Sequence, residues 1–211
     1  MKITKLGHCC LVIEEQGLKI LTDPGDYTTA QNEISGLDVV LITHEHPDHF
    51  HVASLRAVLI NNPAVRIFTN HKVGEILRAE GISYELLEDG QQVTVSGVTI
   101  EAHGSKHAFI YSTLPETVNV GYFINSKLFY PGDAFTDPGK PIEVLALPVA
   151  GPWLKISEVL EYAKQVKPRV SFPVHDGALK IYGAAHALPT KILTSVGIEF
   201  IIPEPGVAFN I

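Results

Sequence analysis

In Leu37-Asp38-Val39-Val40-Leu41-Ile42-Thr43-His44-Glu45-His46-Pro47-Asp48-His49, a nearly continuous apolar run of strand length ends on a cluster of histidines and carboxylates. An apolar run without alternation suits a strand covered on both faces, so the cluster is expected at the C-terminal end of a buried strand. His44, His46, Asp48 and His49 place four candidate ligands within six residues. Imidazole and carboxylate are the usual donors for zinc and similar divalent ions, and catalytic sites leave a position open for water. In an extended turn, residues two apart point to one side, so His44 and His46 can share one ion; Asp48 and His49, beyond Pro47, can turn toward another. The competing reading is a polar loop in which Asp48 caps a helix. It loses weight because Asp133, His107 and His175 also stand just past apolar runs.

Outward from this segment, Lys2 to Leu6, Cys10 to Glu14 and Leu18 to Thr22 read as strands of a meander turned at Gly7 and Gly17. Val52 to Ile60 has helical apolar spacing and stops at Asn61-Asn62-Pro63; Val73 to Ala79 is a second helix ended by Gly81. Strands follow at Gln92 to Val95, Val98 to Ala102, Val120 to Asn125, Lys127 to Tyr130 and Val144 to Leu147, with a hairpin turn at Ser126 or a neighbour. A helix over Ile156 to Val166 leads to a strand at Arg169 to Pro173. Gly183 to Val196 reads as a helix interrupted near Pro189, before closing strands at Ile198 to Ile202 and Val207 to Phe209. The order of strands then helices recurs in both halves. It predicts an α/β fold of two packed sheets with helices outside, a four-layered αββα sandwich.

The 211 residues suffice for one globular domain spanning 1–211, and 45% apolar with 18% charged residues is an ordinary globular balance. A net charge of -7 argues against general nucleic-acid binding, which draws its affinity from lysine and arginine. No stretch approaches the roughly 20 apolar residues of a membrane span. Cys9 and Cys10 are adjacent and unsuited to a structural disulfide, so a reducing, cytoplasmic setting is expected.

With these residues in place, the sequence resembles the metallo-β-lactamase superfamily, whose His-x-His-x-Asp-His signature stands here as His44-Glu45-His46-Pro47-Asp48-His49. The likeness extends to Leu21-Thr22-Asp23-Pro24, His107, Gly132-Asp133 and His175. It implies that His44, His46 and His107 bind one metal, that Asp48, His49 and His175 bind a second, and that Asp133 bridges them. Asp23 would orient a ligand histidine from behind. The implied activity is hydrolysis by a hydroxide bridging two divalent ions, by default zinc, with manganese or iron as alternatives; Asp48 or Asp133 would relay the proton. The opening Ile3-Thr4-Lys5-Leu6-Gly7-His8 is most similar to the branch containing ascorbate-6-phosphate lactonase and related metal-dependent hydrolases.

Several residues carry competing expectations. His103 rivals His107, and the family pattern favours His107. His8 is either a structural histidine or a contact to the site. His51, His71 and His186 are expected on helices facing solvent. Asp176 is expected to cap the following turn or to orient His175, and the cysteines are read as small buried apolar residues. In Ala150-Gly151-Pro152-Trp153-Leu154-Lys155 the default is a packed corner; the alternative is a substrate wall in which Trp153 offers a flat face and Lys155 attracts an anion. Tyr182, Asn119 and Phe109 are further candidates for the pocket.

The leading expectation is cleavage of a small, anionic or neutral ester, lactone, amide or phosphoester. The alternatives are a metal-binding scaffold or sensor without activity, and a di-iron redox protein. That last class usually has glutamate where Asp48 stands and carries a flavin domain.

Overall fold

His8-Cys9, one step beyond the expected Gly7, and Gln16-Gly17 turn the chain between β1 (Lys2–Gly7), β2 (Cys10–Glu15) and β3 (Leu18–Thr22), which pair antiparallel. The computed structural model describes residues 1–211. β4 (Val39–Ile42) joins β3 in parallel; α1 (Val52–Asn61), β5 (Arg66–Thr69), α2 (His71–Ala79) and β6 (Glu85–Leu86) then alternate, extending the parallel run.

The second half repeats the plan. β7 (Gln92–Val95), β8 (Val98–His103), β9 (Gly121–Ile124) and β10 (Leu128–Tyr130) are antiparallel neighbours. β11 (Val144–Pro148), α3 (Ile156–Val166), β12 (Val170–Val174), α4 (Ala187–Ser195) and β13 (Glu199–Phe200) add the parallel part, and β14 (Ala208–Asn210) returns to pair with β1. Each sheet therefore has seven strands, ordered β14-β1-β2-β3-β4-β5-β6 and β7-β8-β9-β10-β11-β12-β13.

The period-2 geometry of strands decides the layers. Along β2, Leu11 and Ile13 enter the core between the sheets, while Cys10 and Val12 pack outward with Leu55 and Val58 of α1 and Val73 and Leu77 of α2. α3 and α4 cover the opposite sheet through Val159, Leu160 and Leu193. Both faces of β4 are covered, which is why its sequence is uninterrupted apolar; each such side chain contributes about 1.5–3 kcal/mol. The result is the expected αββα sandwich.

Local expectations are corrected at a few points. The strands β5 and β6 are not expected from the sequence: β6 is two exposed residues, and β5 has only Ile67 and Phe68 as apolar residues between two helices. α2 begins at His71, two residues before Val73, because Asn70 caps it, accepting hydrogen bonds from the N–H groups of Lys72 and Val73. The helix expected from Gly183 starts at Ala187, and Pro189 does not interrupt it. Pro189 lies in the first turn, where an N–H has no helical partner to lose. The hairpin turn between β9 and β10 uses Asn125 and Ser126 together, with φ of 52° at each.

Candidate metal centre

The residues of the site leave the sheets at one rim, mostly from C-terminal strand ends, where open α/β sheets gather ligands. Asp23 follows β3, Thr43 to His49 follow β4, His107 lies beyond β8, Asp133 beyond β10 and His175 directly after β12. Three of the non-glycine residues here, His8, Asp23 and His175, have φ of 49°, 38° and 61°. Left-handed backbone costs on the order of 1–3 kcal/mol for such residues and persists where the surroundings enforce it. Gly132, at φ 62°, turns the chain into Asp133; a Cβ there would meet Asn119 Oδ1 at 2.3 Å. Gly25 lets the chain pass the backbone of Asp48, whose carbonyl oxygen would lie 2.0 Å from a Cβ.

Two groups of donors result. In one, ligand atoms of His44, His46, His107 and Asp133 lie within 4.8 Å of one another. His44 Nε2 is 3.0 Å from His46 Nδ1, and His107 Nε2 is 3.3 Å from Asp133 Oδ2. His107 Nδ1 donates to the carbonyl of Ala108 at 2.6 Å, which leaves Nε2 as the lone-pair nitrogen facing the group.

In the other, Asp133 Oδ1 lies 3.1 Å from His49 Nε2, and Asp133 Oδ2 lies 2.9 Å from His175 Nε2. Asp48 Oδ2 is 3.4 Å from His175 Nε2 and 3.9 Å from His49 Nε2. Asp133 thus touches both groups. Its backbone N–H is held by Asn119 Oδ1, so Asn119 supports the turn and does not line a pocket.

Behind the donors, Asp23 is fully buried and ties both groups together. Its Oδ1 accepts from the backbone N–H of Thr43 at 2.8 Å, and its Oδ2 accepts from Thr43 Oγ1 and His49 Nδ1 at 2.7 Å each and from the Tyr130 hydroxyl. Thr43 Oγ1 is also 3.0 Å from His44 Nδ1. A carboxylate therefore fixes the Nε2 of His49 directly and that of His44 through one hydroxyl. Asn70, besides capping α2, donates to the carbonyl of Thr43 at 2.8 Å.

The electrostatics around His49 and His175 favour a cation. Burial works against charge on His49, yet Asp133, Cys9 and Asp23 raise its pKa well above the ordinary value. Burial opposes charge on His175 too, but chiefly Asp133 lifts it to about 10. His49 and His175 in turn hold Asp133 well below the usual carboxylate range against its own burial. His44 goes the other way, pushed far down by burial and by the neighbouring His49. A buried place that sustains imidazolium stabilises positive charge.

His8 enters the site edge-on to His49 and tilted against His175. Its Nδ1 accepts the N–H of Gly177 at 3.1 Å, and its Nε2 meets Asp48 Oδ2 at 3.0 Å. Gly177 is required for that approach, since a Cβ would lie 2.8 Å from His8 Cβ. Trp153 is buried, with its ring edge-on to His107 and His175, and lines a cavity of about 280 Å³ at the donors together with Tyr27, Ile110, Pro152 and Leu179. Lys155 stands outside that lining and precedes α3 as its N-cap. His103 bonds Glu101 Oε2 at 3.3 Å, away from the donor groups. Phe109 is exposed on an adjoining cavity of about 300 Å³ lined by residues 106–112 and 114–117, which shares Ile110 with the first and includes His107, and the hydroxyl of Tyr182 donates to Pro203.

Two expectations are overturned. His186 is buried, not solvent-facing, and its Nε2 meets Asp176 Oδ2 at 2.7 Å. Asp176 neither caps a turn through its side chain nor orients His175: its Oδ1 receives Lys5 Nζ, which also donates to the carbonyl of Pro173 at 2.9 Å. A buried Lys5–Asp176–His186 chain therefore pins the His175 loop to β1. His51 is half-buried, bonded to Ser54, whereas His71 is exposed as expected and pairs with Glu88.

Comparison with known proteins agrees with this geometry. The family described as Beta-lactamase superfamily domain matches residues 2–175. Protein Rv0786c of Mycobacterium tuberculosis is 35% identical over 180 residues, covering 83% of this chain and 84% of that one. A UPF0173 metal-dependent hydrolase of Methanocaldococcus jannaschii is 27% identical over 218 residues, covering 97% of each. Among solved structures, Igni18, a metallo hydrolase from Ignicoccus hospitalis, has the same fold at a TM-score of 0.75 and 21% identity, covering 100% of this chain and 98% of that one. These likenesses bear on the superfamily and not on its lactonase branch.

Proposed function

Because the chain belongs to the β-lactamase superfamily, we propose that it is a metal-dependent hydrolase in which His44, His46 and His107 hold one divalent ion and Asp48, His49 and His175 a second, with Asp133 shared. One observation carries this reading: His49 Nε2, His107 Nε2, His175 Nε2 and Asp133 Oδ1 are buried, form no well-aligned hydrogen bond, and crowd together around the Asp133 carboxylate at 2.9–3.3 Å. Several polar atoms that converge on one buried place without aligned hydrogen bonds call for a common partner. The nitrogen and oxygen donors fit zinc first, with manganese or iron able to occupy the same set.

Two bound cations would supply a water activated near neutral pH and polarise a substrate carbonyl or phosphoryl oxygen. The chain's own residues do the rest. Asp133 is held by its imidazole neighbours as a fixed anion between the two groups. Asp48 is partly exposed to the cavity and bonded to His8; against its own burial, His175 and His8 hold its carboxyl well below the usual carboxylate range, so it serves as an ionised ligand and at most as a weak proton relay. Trp153 closes one side against water.

The cavity of about 280 Å³ suits a small ester, lactone, amide or phosphoester. No lysine or arginine lines it, so an anionic group of the substrate would meet the bound cations. Small-molecule hydrolysis without nucleic acid, by one catalytic unit over 1–211 in the cytoplasm, completes the proposal; both cysteines are free thiols, and no helix is long and apolar enough to cross a membrane.

Metal analysis combined with chromogenic phosphodiesters, lactones and thioesters tests it. Bound metal and turnover of at least one class, both lost in His46→Ala, are expected. Metal bound with no turnover across the panel would favour a scaffold, and a His46→Ala variant that kept metal and activity would overturn the ligand assignment.

A further inference from the structure

β1 and β2 are joined by His8-Cys9, and the tight turn drives Cys9 to the top of the core between the sheets, where only 1% of it is exposed. Its neighbour Cys10 faces the opposite way, into the core beneath α1 and α2. The Cys9 sulfur and ligand atoms of His8, His49 and His175 all lie within 4.8 Å of one another. His8 is already committed through both ring nitrogens, to Gly177 and Asp48. His49 Nε2 and His175 Nε2 are not: both are buried, form no aligned hydrogen bond, and face the second metal position, where Asp133 lies 3.1 and 2.9 Å away and Asp48 3.9 and 3.4 Å.

We infer that Cys9 is an additional ligand of the second metal position, giving it a sulfur donor beside His49 and His175 while His8 holds Asp48 in place. The inference rests on the metal-centre reading above. On binding, the thiol proton leaves to solvent and a sulfur lone pair forms the bond to the metal. The consequence is selectivity: thiolate is a soft donor that suits zinc, whereas the hard manganese ion gains little from it. The first position, with His44, His46, His107 and Asp133, lacks any sulfur and should bind zinc and manganese with less discrimination.

The test uses the full chain loaded with cobalt(II) or zinc. Cobalt-loaded protein should show a sulfur-to-metal charge-transfer band in the near ultraviolet that disappears in Cys9→Ser and persists in Cys10→Ser. Zinc X-ray absorption should require one sulfur at about 2.3 Å, also lost in Cys9→Ser. Zinc affinity at the second position should fall at least tenfold in Cys9→Ser while manganese affinity stays within twofold. Circular dichroism and occupancy of the first position report whether the variant folds. Two bound cobalt ions without the band would overturn the role of Cys9 and leave the metal centre standing. No bound metal in the unmodified chain would overturn both.

Discussion

Replacing Asp23 by asparagine should weaken the second metal position while leaving the fold intact, and the size of the effect follows from the hydrogen bonds of this carboxylate. Oδ2 accepts from Thr43 Oγ1, His49 Nδ1 and Tyr130. An amide that keeps its oxygen toward the Thr43 N–H puts an NH₂ where Oδ2 was, so three donors would face a donor. The hydroxyls of Thr43 and Tyr130 can rotate to accept. His49 can accept only by moving its proton to Nε2, the nitrogen that faces Asp133 at 3.1 Å. Metal must then displace that proton or break the new hydrogen bond, and loss of such an orienting partner typically costs about 10–100-fold in metal affinity, or about 1.4–2.8 kcal/mol. The first position feels Asp23 only through Thr43 Oγ1 and His44 Nδ1, so it should change by less than about tenfold by the same scale. Competition titration against a chromophoric chelator resolves the two steps. Unchanged affinity at both positions in a folded Asp23→Asn variant would refute the claim that this carboxylate sets the His49 tautomer.

Gly132→Ala forces a side chain into left-handed backbone and against Asn119 Oδ1 and Thr43; strain and overpacking together should cost about 2–6 kcal/mol, read from the urea midpoint, and a midpoint equal to that of the unmodified chain would count against the tight turn. Lys5→Met removes the buried partner of Asp176 and should destabilise the fold by about 3–5 kcal/mol, with the 175–186 segment losing hydrogen-exchange protection first. For the metal-free chain, His49 and His175 have raised pKa values. Their pairing with Asp133 is therefore fully present below the ordinary histidine pKa of about 6.5 and, for His175, is lost as pH rises through about 10. Metal affinity should move oppositely, rising about tenfold per pH unit for each displaced proton. Thermal melts and metal titrations across pH should diverge, and parallel trends would show that protons and metal do not compete for these nitrogens.

Much of the site was legible because its chemistry is written locally. His44, His46, Asp48 and His49 are neighbours in the chain, and the apolar run before them identifies a covered strand. Asp133 and His175 could be placed by their position after apolar runs, whereas His103 and His107 both follow one and only the family resemblance favoured His107. The layered fold was legible for the same reason, since a strand buried on both faces and helices with one apolar stripe leave few ways to pack. Expectations failed where a residue's environment is supplied from far along the chain. His186 looked like a solvent-facing helical residue because its partner Asp176 and the lysine behind it, Lys5, reveal nothing of their pairing in sequence. Nothing in the sequence around Asp176 signals that a lysine 171 residues away reaches it.

By itself, then, the sequence determined the donor types, their order and the strands that carry them, because covalent spacing and the period of a strand are properties of the chain. Tertiary structure alone decided that Asp23 reaches His44 through Thr43, that Lys155 stands apart from the cavity and that Cys9 lies beside His49 and His175. Those relations are distances between segments remote in the chain, fixed only when the two sheets close on their common core.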